Sequence, residues 1–391
     1  MNICHVWHNF FPIQSGGVEQ YILSLSDFLT SNNGDSFLMV TDKAVNMPFL
    51  RSLRTPNVER INSVEVHRLR PTVTSLFGGA VYHALDKRPD RLQKALTRSL
   101  SRQAARIRGM DRVDLFHIHG FWSSLYPEIG QSLSNHFGCP FIVTLHGDSV
   151  RSGDPFAMPL RAEATVNLLK SARVITTFSK ETLRVLSEVG LGENSCLVPN
   201  FIDTQKFKAP SPSVKLGTKI TIVSRLSEPK DPLTPIRAFA KVAKELPNVT
   251  LQIVGYGPLF DKMQRLVEQL KIRNIVEFVG GVSDVRQYLW NSDVFITTRG
   301  SYITTLEAWA SGLPVLAPNY GIMKELITDG VDGFLTEPGD ADQLASRIVN
   351  ILENRTLREN LIENGYESAK RHDVGTIGAR IQEIYEFSQC C

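Results

Sequence analysis

Two cations stand in a position where they could grip an anion. Arg225 and Lys230 lie in "IVSRLSEPKDP", after an apolar run and before a helical stretch that begins near Pro232. Both can donate charge-assisted hydrogen bonds to a diphosphate. An ordinary solvated loop would carry the same residue types. A second stretch, "RGSYITTLEAWASGLPVLAP" (299–318), opens with Arg299 and turns into a helix. Its first amides, around Ile303, Thr304 and Thr305, would form an anion site. The helix dipole would add roughly 0.3–1 kcal/mol for a nearby negative charge. Glu307 is expected in the first turn, where a carboxylate accepts two hydrogen bonds from vicinal hydroxyls or simply complements the dipole. In "VGYGPL" and "EFVGGVSD", Gly255, Gly257, Gly280 and Gly281 follow strands, with Val279 beside them. Glycines there let a backbone approach a flat base. "GYGPLF" lacks the third glycine of the dinucleotide fingerprint, so as a Rossmann motif it is weak.

The first half of the chain holds a second set. Gly16 and Gly17 open the helix "GGVEQYI", where backbone can approach a phosphate, or where the chain simply turns. "DLFHIHGFW" puts His117 and His119 on one face of a strand, and "TLHGDS" adds His146 and Asp148 at the end of the next. Three histidines raise the question of a metal. No carboxylate or cysteine stands at a ligand spacing, so none is expected. "DAD" (Asp340 to Asp342) reads as a helix cap rather than a metal motif.

These residues need elements to hold them. The runs "NICHVW", "SFLMVT", "VEVHRL", "DLFHIH", "PFIVTLH", "ARVITTFS" and "SCLVPN" in the first half read as strands. "KITIVS", "VTLQIVG", "IVEFVG", "DVFITT" and "LPVLAP" do so in the second. Most are continuously apolar, as in parallel sheets covered on both faces. Amphipathic stretches alternate with them, which predicts α/β architecture with right-handed crossovers. At 391 residues two domains are expected. The polar stretch 206–219 marks the boundary, giving 1–207, 208–372 and a final helix over 373–391 that could cross back to the first domain. Ligands in such sheets bind past the carboxyl ends of the strands, so the expected site is a cleft between two doubly wound, Rossmann-like domains.

The net charge of +3 gives no reason to invoke nucleic acid. The five cysteines fit no zinc or disulfide spacing and point to a reducing compartment. The N-terminus lacks the pattern of a signal peptide, and no apolar run is long enough to span a bilayer. A cytoplasmic protein is expected, with at most a peripheral hold on the inner face of a membrane. The stretch 87–108 is strongly basic, with Arg91, Lys94, Arg98, Arg102 and Arg106 recurring at three- and four-residue steps. It reads either as a solvated helix face or as a contact with an anionic membrane.

Taken together, the order and spacing of Arg225, Lys230, the glycine-rich strand ends and Glu307 in "LEAWASGLPVLA" resemble the retaining glycosyltransferases of family 4, which have the GT-B fold. "PNFID" (199–203) and "GVDGFLTEPGD" (330–340) extend the resemblance over nearly the whole chain. It implies that Arg225, Lys230 and the amides of Ile303 to Thr305 hold the donor diphosphate, and that Glu307 binds its ribose. It places Gly16, Gly17, Gly255, Val279 and Arg299 around the donor, His119 against the donor sugar, and His146 with Asp148 on the acceptor side. The implied co-substrate is a nucleotide-diphosphate sugar, with no further cofactor. The acceptor would be a glycan, a lipid-linked saccharide or a small molecule.

Two departures stand out. Arg299 occupies a position where the family usually has a glutamate, and an arginine accepts no hydrogen bond. Either it pairs with an acidic donor sugar, or it is turned away and backbone holds the sugar. Phe201 replaces the glycine of the usual "PNGVD". A catalytically weak partner protein and a nucleotide-sugar 2-epimerase are the alternative functions.

Overall fold

A computed structural model describes residues 1–7, 10, 16–42, 56–69, 90–120, 125–147, 160, 162–210, 219–299 and 301–389. The chain divides into two compact units, Met1–Pro199 with Val374–Cys391, and Asn200–Asp373.

Unit 1 is built on a sheet of β1 (Asn2–Val6), β2 (Ser36–Asp42), β3 (Val58–Ile61), β4 (Val64–Leu69), β5 (Leu115–His119), β6 (Phe141–Leu145), β7 (Val174–Thr177) and β8 (Ser195–Leu197). Their order is β3-β4-β2-β1-β5-β6-β7-β8. β5 ("LFHIH") and β6 ("FIVTL") are buried at every position, which is why their sequences do not alternate. One pairing breaks the expected parallel rule. β3 runs antiparallel to β4 at the sheet edge, joined by a tight turn in which Asn62 takes a φ of 52°. Helices α1 (Gly17–Asn33), α2 (Asp90–Ala104), α3 (Leu125–Phe137), α4 (Glu163–Lys170) and α5 (Lys180–Glu188) belong to this unit.

The terminal helix, Val374–Gln389, belongs here too. Gly378 lets it approach α1, since a Cβ there would lie 2.6 Å from the Phe28 ring. Tyr385, fully buried, hydrogen-bonds His117 Nδ1 through its hydroxyl at 2.7 Å.

Unit 2 carries β9 (Lys219–Val223), β10 (Thr250–Val254), β11 (Val276–Gly280), β12 (Val294–Ile296), β13 (Val315–Pro318) and β14 (Phe334–Thr336), all parallel, in the order β11-β10-β9-β12-β13-β14. Its helices are α6 (Thr204–Phe207), α7 (Leu233–Glu245), α8 (Phe260–Gln269), α9 (Arg286–Trp290), α10 (Tyr302–Ala310), α11 (Met323–Leu326), α12 (Ala341–Glu353) and α13 (Arg355–Lys370). In both sheets the chain order reverses beside the first strand, between β1 and β5 and between β9 and β12. Such switch points open a crevice past the strand ends.

The division falls at Pro199, ahead of the expected 207, because the intervening residues bond to unit 2. Ile202 N–H donates to the His372 carbonyl (3.0 Å), and the Trp290 indole donates to the Phe207 carbonyl (2.7 Å). Asp340 does cap α12, accepting from the amides of Asp342 and Gln343. The basic helix is shorter than expected. α2 ends at Ala104, so Arg106 lies beyond it, while Leu100 and Ala104 are buried in the core of unit 1. Arg98 and Arg102 are exposed. Residues 87–89 and the side chains of Arg91 and Lys94 lie outside the described residues.

Candidate active site

The switch point of unit 2 brings the first two sequence stretches together. The loop after β9 carries Ser224, Arg225 and Lys230; the loop after β12 carries Thr298, Arg299 and Ser301. Hydroxyls tie the loops, with Ser224 Oγ 2.8 Å from Thr298 Oγ1 and Thr298 Oγ1 2.8 Å from Ser301 Oγ. The Lys230 ammonium donates to the Arg299 carbonyl at 2.6 Å. That bond places a cation at the entrance to α10. Arg225 is exposed, and its guanidinium has no partner among the described residues. Lys230, Thr298 and Arg299 also line a pocket with Ala317 and Thr336, past the carboxyl ends of β12, β13 and β14.

α10 begins without a side-chain cap. Ser301 stands at the capping position, but its hydroxyl is drawn back to Thr298. The amides of Ile303 and Thr304 therefore have no partner among the described residues, and the positive end of the helix is open. Thr305 is different from the expectation. Its amide and hydroxyl both bond the Ser301 carbonyl and the hydroxyl also bonds Thr297, so it faces the interior and offers nothing to a ligand.

Glu307 also corrects the expectation, since it sits in the second turn of α10. It is 7 % exposed and its carboxyl has no hydrogen-bond partner among the described residues. Burial pushes that carboxyl up to about 8, with the Asp284 charge adding to the shift. A buried acid without a donor awaits one. The helix that carries it is firmly held. Trp309, fully buried, donates through Nε1 to the Asp332 carbonyl at 2.8 Å. A Cβ on Gly365 would lie 2.6 Å from the Trp309 ring, so glycine lets α13 close on α10.

The glycines past β10 serve a different approach from the one expected. Gly255 has φ 141°, and a Cβ there would lie 1.9 Å from the Ser224 carbonyl; one on Gly257 would lie 2.3 Å from that of Leu226. The close contact is loop against loop, and it fixes residues 224–226 beside the switch point. Val279 is half-buried on β11. Arg299 is turned onto Tyr320, its guanidinium carbon 3.8 Å from the ring centroid.

In unit 1 the α1 terminus is already occupied. The Glu19 carboxyl folds back over Gly16, where a Cβ would lie 2.9 Å from its Oε2, and takes the Trp7 indole N–H at 2.8 Å. It stands where the sequence reading put a donor phosphate beside Gly16 and Gly17. The position of Glu19, three residues past the Gly16 cap, is a capping signal that the sequence reading missed.

His119 likewise differs from its expected role. It is 1 % exposed, and both ring nitrogens are engaged, Nε2 with His5 Nδ1 (2.8 Å) and Nδ1 with His146 Nε2 (2.9 Å). His117 bonds Tyr385 and Thr144. Among the described residues, His5, His117 and His119 form a group whose ligand atoms lie within 4.8 Å of one another. His5 thus takes the place that the sequence reading gave to His146, and its signal was a lone histidine in the apolar run "NICHVW". Asp148 lies outside the described residues.

Two Rossmann-like units, one with an open helix terminus flanked by cations at its switch point, define the GT-B class of glycosyltransferase. The Glycosyltransferase Family 4 model matches residues 15–206 and the Glycosyl transferases group 1 model matches residues 203–368. The chain belongs to the family 4 glycosyltransferases. It is 27% identical over 357 residues to an uncharacterized glycosyltransferase of Methanocaldococcus jannaschii, covering 85% of this chain and 87% of the relative. It is 27% identical over 158 residues to the poly(glycerol-phosphate) alpha-glucosyltransferase of Bacillus subtilis, covering 39% of this chain but only 24% of the relative. The fold of Anabaena HepE, crystallised with UDP, superposes with a TM-score of 0.71 at 22% identity, covering 99% of this chain and 100% of HepE.

Proposed function

We propose that this glycosyltransferase moves a hexose-type sugar from a nucleotide-diphosphate sugar to an acceptor hydroxyl, with retention of anomeric configuration and without a metal ion. The acceptor belongs to a glycan, a lipid-linked saccharide or a small molecule. The observation that carries the reading is the uncapped α10 terminus, with Lys230 beside it and the buried Glu307 one turn further on.

As the bond from the anomeric carbon to the phosphate oxygen breaks, negative charge grows on the leaving diphosphate. Arg225, Lys230 and the amides of Ile303 and Thr304 favour that charge, and fixed donors at a developing anion are the strongest lever an active site has. These cations supply the positive charge that a metal supplies elsewhere. The acceptor oxygen bonds the anomeric carbon from the face that the diphosphate leaves, and a phosphate oxygen takes its proton. Glu307 accepts from the ribose hydroxyls. With Arg299 stacked on Tyr320, backbone groups hold the donor sugar, so neutral hexoses serve at least as well as uronic acids.

A thermal-shift comparison of UDP, GDP, ADP and dTDP in the presence of EDTA tests the reading. HepE makes UDP the first to try. One nucleotide is expected to raise the melting point, since a ligand at a hundred times its Kd adds ~2.7 kcal/mol. No rise with any of the four overturns it. Turnover of the matching sugar donor, with the product anomer read by NMR, separates transfer from 2-epimerisation and from binding alone.

A further inference from the structure

A column of imidazoles runs through unit 1, and the transfer reading above does not use it. Ser26 of α1 meets His5 of β1, Oγ to Nε2 at 3.3 Å. His5 Nδ1 meets His119 Nε2 at the end of β5 at 2.8 Å. His119 Nδ1 meets His146 Nε2, just past β6, at 2.9 Å. Ser26, His5 and His119 are buried, and His146 is half-buried. His5 stacks on Phe37 with ring centroids 5.4 Å apart, and Tyr21 meets His146 edge-on at 4.9 Å, so the ring planes are fixed.

The rings are neutral. Burial holds His5 and His146 down to about 3, and His119 well below the usual histidine range. A neutral imidazole carries one proton, and each nitrogen-to-nitrogen contact needs one donor and one acceptor. Such a column has two settings, with every proton pointing towards Ser26 or every proton pointing away. The first contact then decides the last.

Ser26 makes that choice. Among the described residues its hydroxyl has one hydrogen-bond partner, His5 Nε2. A buried O–H without an acceptor is costly, whereas a spare lone pair is cheap. Ser26 therefore donates to His5, His5 donates from Nδ1 to His119, and His119 donates from Nδ1 to His146. The proton of His146 is left on Nδ1, which has no partner among the described residues. His117 packs against the column, its ring centroid 4.0 Å from that of His119, but takes no hydrogen-bonded place in it, bonding Tyr385 and Thr144 instead.

We propose that Ser26 and His5 are positioning residues that lock His146 as its Nδ1–H tautomer, so that His146 offers a neutral N–H donor to a sugar oxygen at the carboxyl end of the unit 1 sheet instead of acting as a base. Only the identity of that oxygen rests on the transfer reading. The tautomer does not.

The test is long-range hydrogen–nitrogen NMR on the full chain labelled with nitrogen-15 histidine, first without ligand. His5, His119 and His146 are each expected to carry the proton on Nδ1 throughout pH 5–8. Ser26→Ala removes the deciding donor, and the three rings are expected to populate the opposite tautomer together. A proton on His146 Nε2 in the unaltered chain, or no change in Ser26→Ala, overturns the proposal. His5→Phe keeps the stack on Phe37 and breaks the column; His146 is then expected to show both tautomers while nucleotide still raises the melting point. UDP-glucose, GDP-mannose, ADP-glucose and dTDP-glucose are then added in turn. The His146 N–H resonance is expected to move with the donor whose nucleotide binds, and a stationary resonance overturns the contact. If no nucleotide binds but the Nδ1–H column is present, the transfer reading fails and the tautomer assignment stands.

Discussion

Substitution of Glu307 by glutamine should strengthen the protein and weaken its ligand binding at once. The buried carboxyl holds its proton up to about pH 8 in the folded chain, against 4.5 in the open. Between those values the unfolded chain binds fewer protons than the folded one, so stability falls as pH rises and levels off above about 8. Each tenfold change in proton affinity is worth ~1.4 kcal/mol. Holding the ionised carboxylate in its site therefore costs the fold on the order of 4–5 kcal/mol above pH 8. An amide has the same shape without the charge. Glu307→Gln should exceed the unaltered chain by only about 1 kcal/mol at pH 5, by about 3 kcal/mol at pH 7 and by about 4–5 kcal/mol at pH 9, read by urea unfolding at each pH. In the same protein, nucleotide affinity should drop about tenfold to a hundredfold, because hydrogen bonds to a charged acceptor are worth ~1.5–3 kcal/mol. The unaltered chain should bind nucleotide more tightly as pH climbs through 8, releasing a proton as it does so. A variant that is no more stable at pH 9 than at pH 5, relative to the unaltered chain, would refute the reasoning.

Three further outcomes are expected. Gly255→Ala sets a Cβ against the Ser224 carbonyl at a φ of 141°, and urea unfolding should show a loss of about 2–4 kcal/mol. Arg299→Ala removes the stack on Tyr320 and should lower stability by only about 0.5–1 kcal/mol, with the ratio of neutral-hexose to uronic-acid turnover unchanged; a shift in that ratio would return Arg299 to the sugar. Co-sedimentation should show no preference for anionic over neutral vesicles, since α2 commits Leu100 and Ala104 to the core of unit 1 rather than leaving them to insert into a bilayer.

The alternation of strands and helices was legible because buried parallel strands must be apolar along their length, and runs such as "PFIVTL" admit few other readings. β3 ("VERI") escaped because an edge strand alternates and is short. β14 ("FLT") escaped because three residues show no period. Arg225 and Lys230 were legible as cations past a strand end. That Lys230 would brace the Arg299 carbonyl was not, because the bond joins loops from two distant parts of the chain. Phe201, a departure from the family pattern, is a buried side chain, and it fills interior space that a glycine would leave. His5 and Glu19 were the larger omissions. Each is a polar residue in an apolar setting, and its partners come from elements that only the folded sheet brings alongside.

The terminal helix has a consequence for synthesis. Unit 2 is one uninterrupted segment, complete once Asp373 has been added, and can collapse while the chain is still being made. Unit 1 cannot finish then, because Tyr385, which seals His117, is added only after the whole of unit 2. Of the two units, the one translated first is thus the one that matures last, and truncation ahead of Tyr385 would injure the amino-terminal sheet.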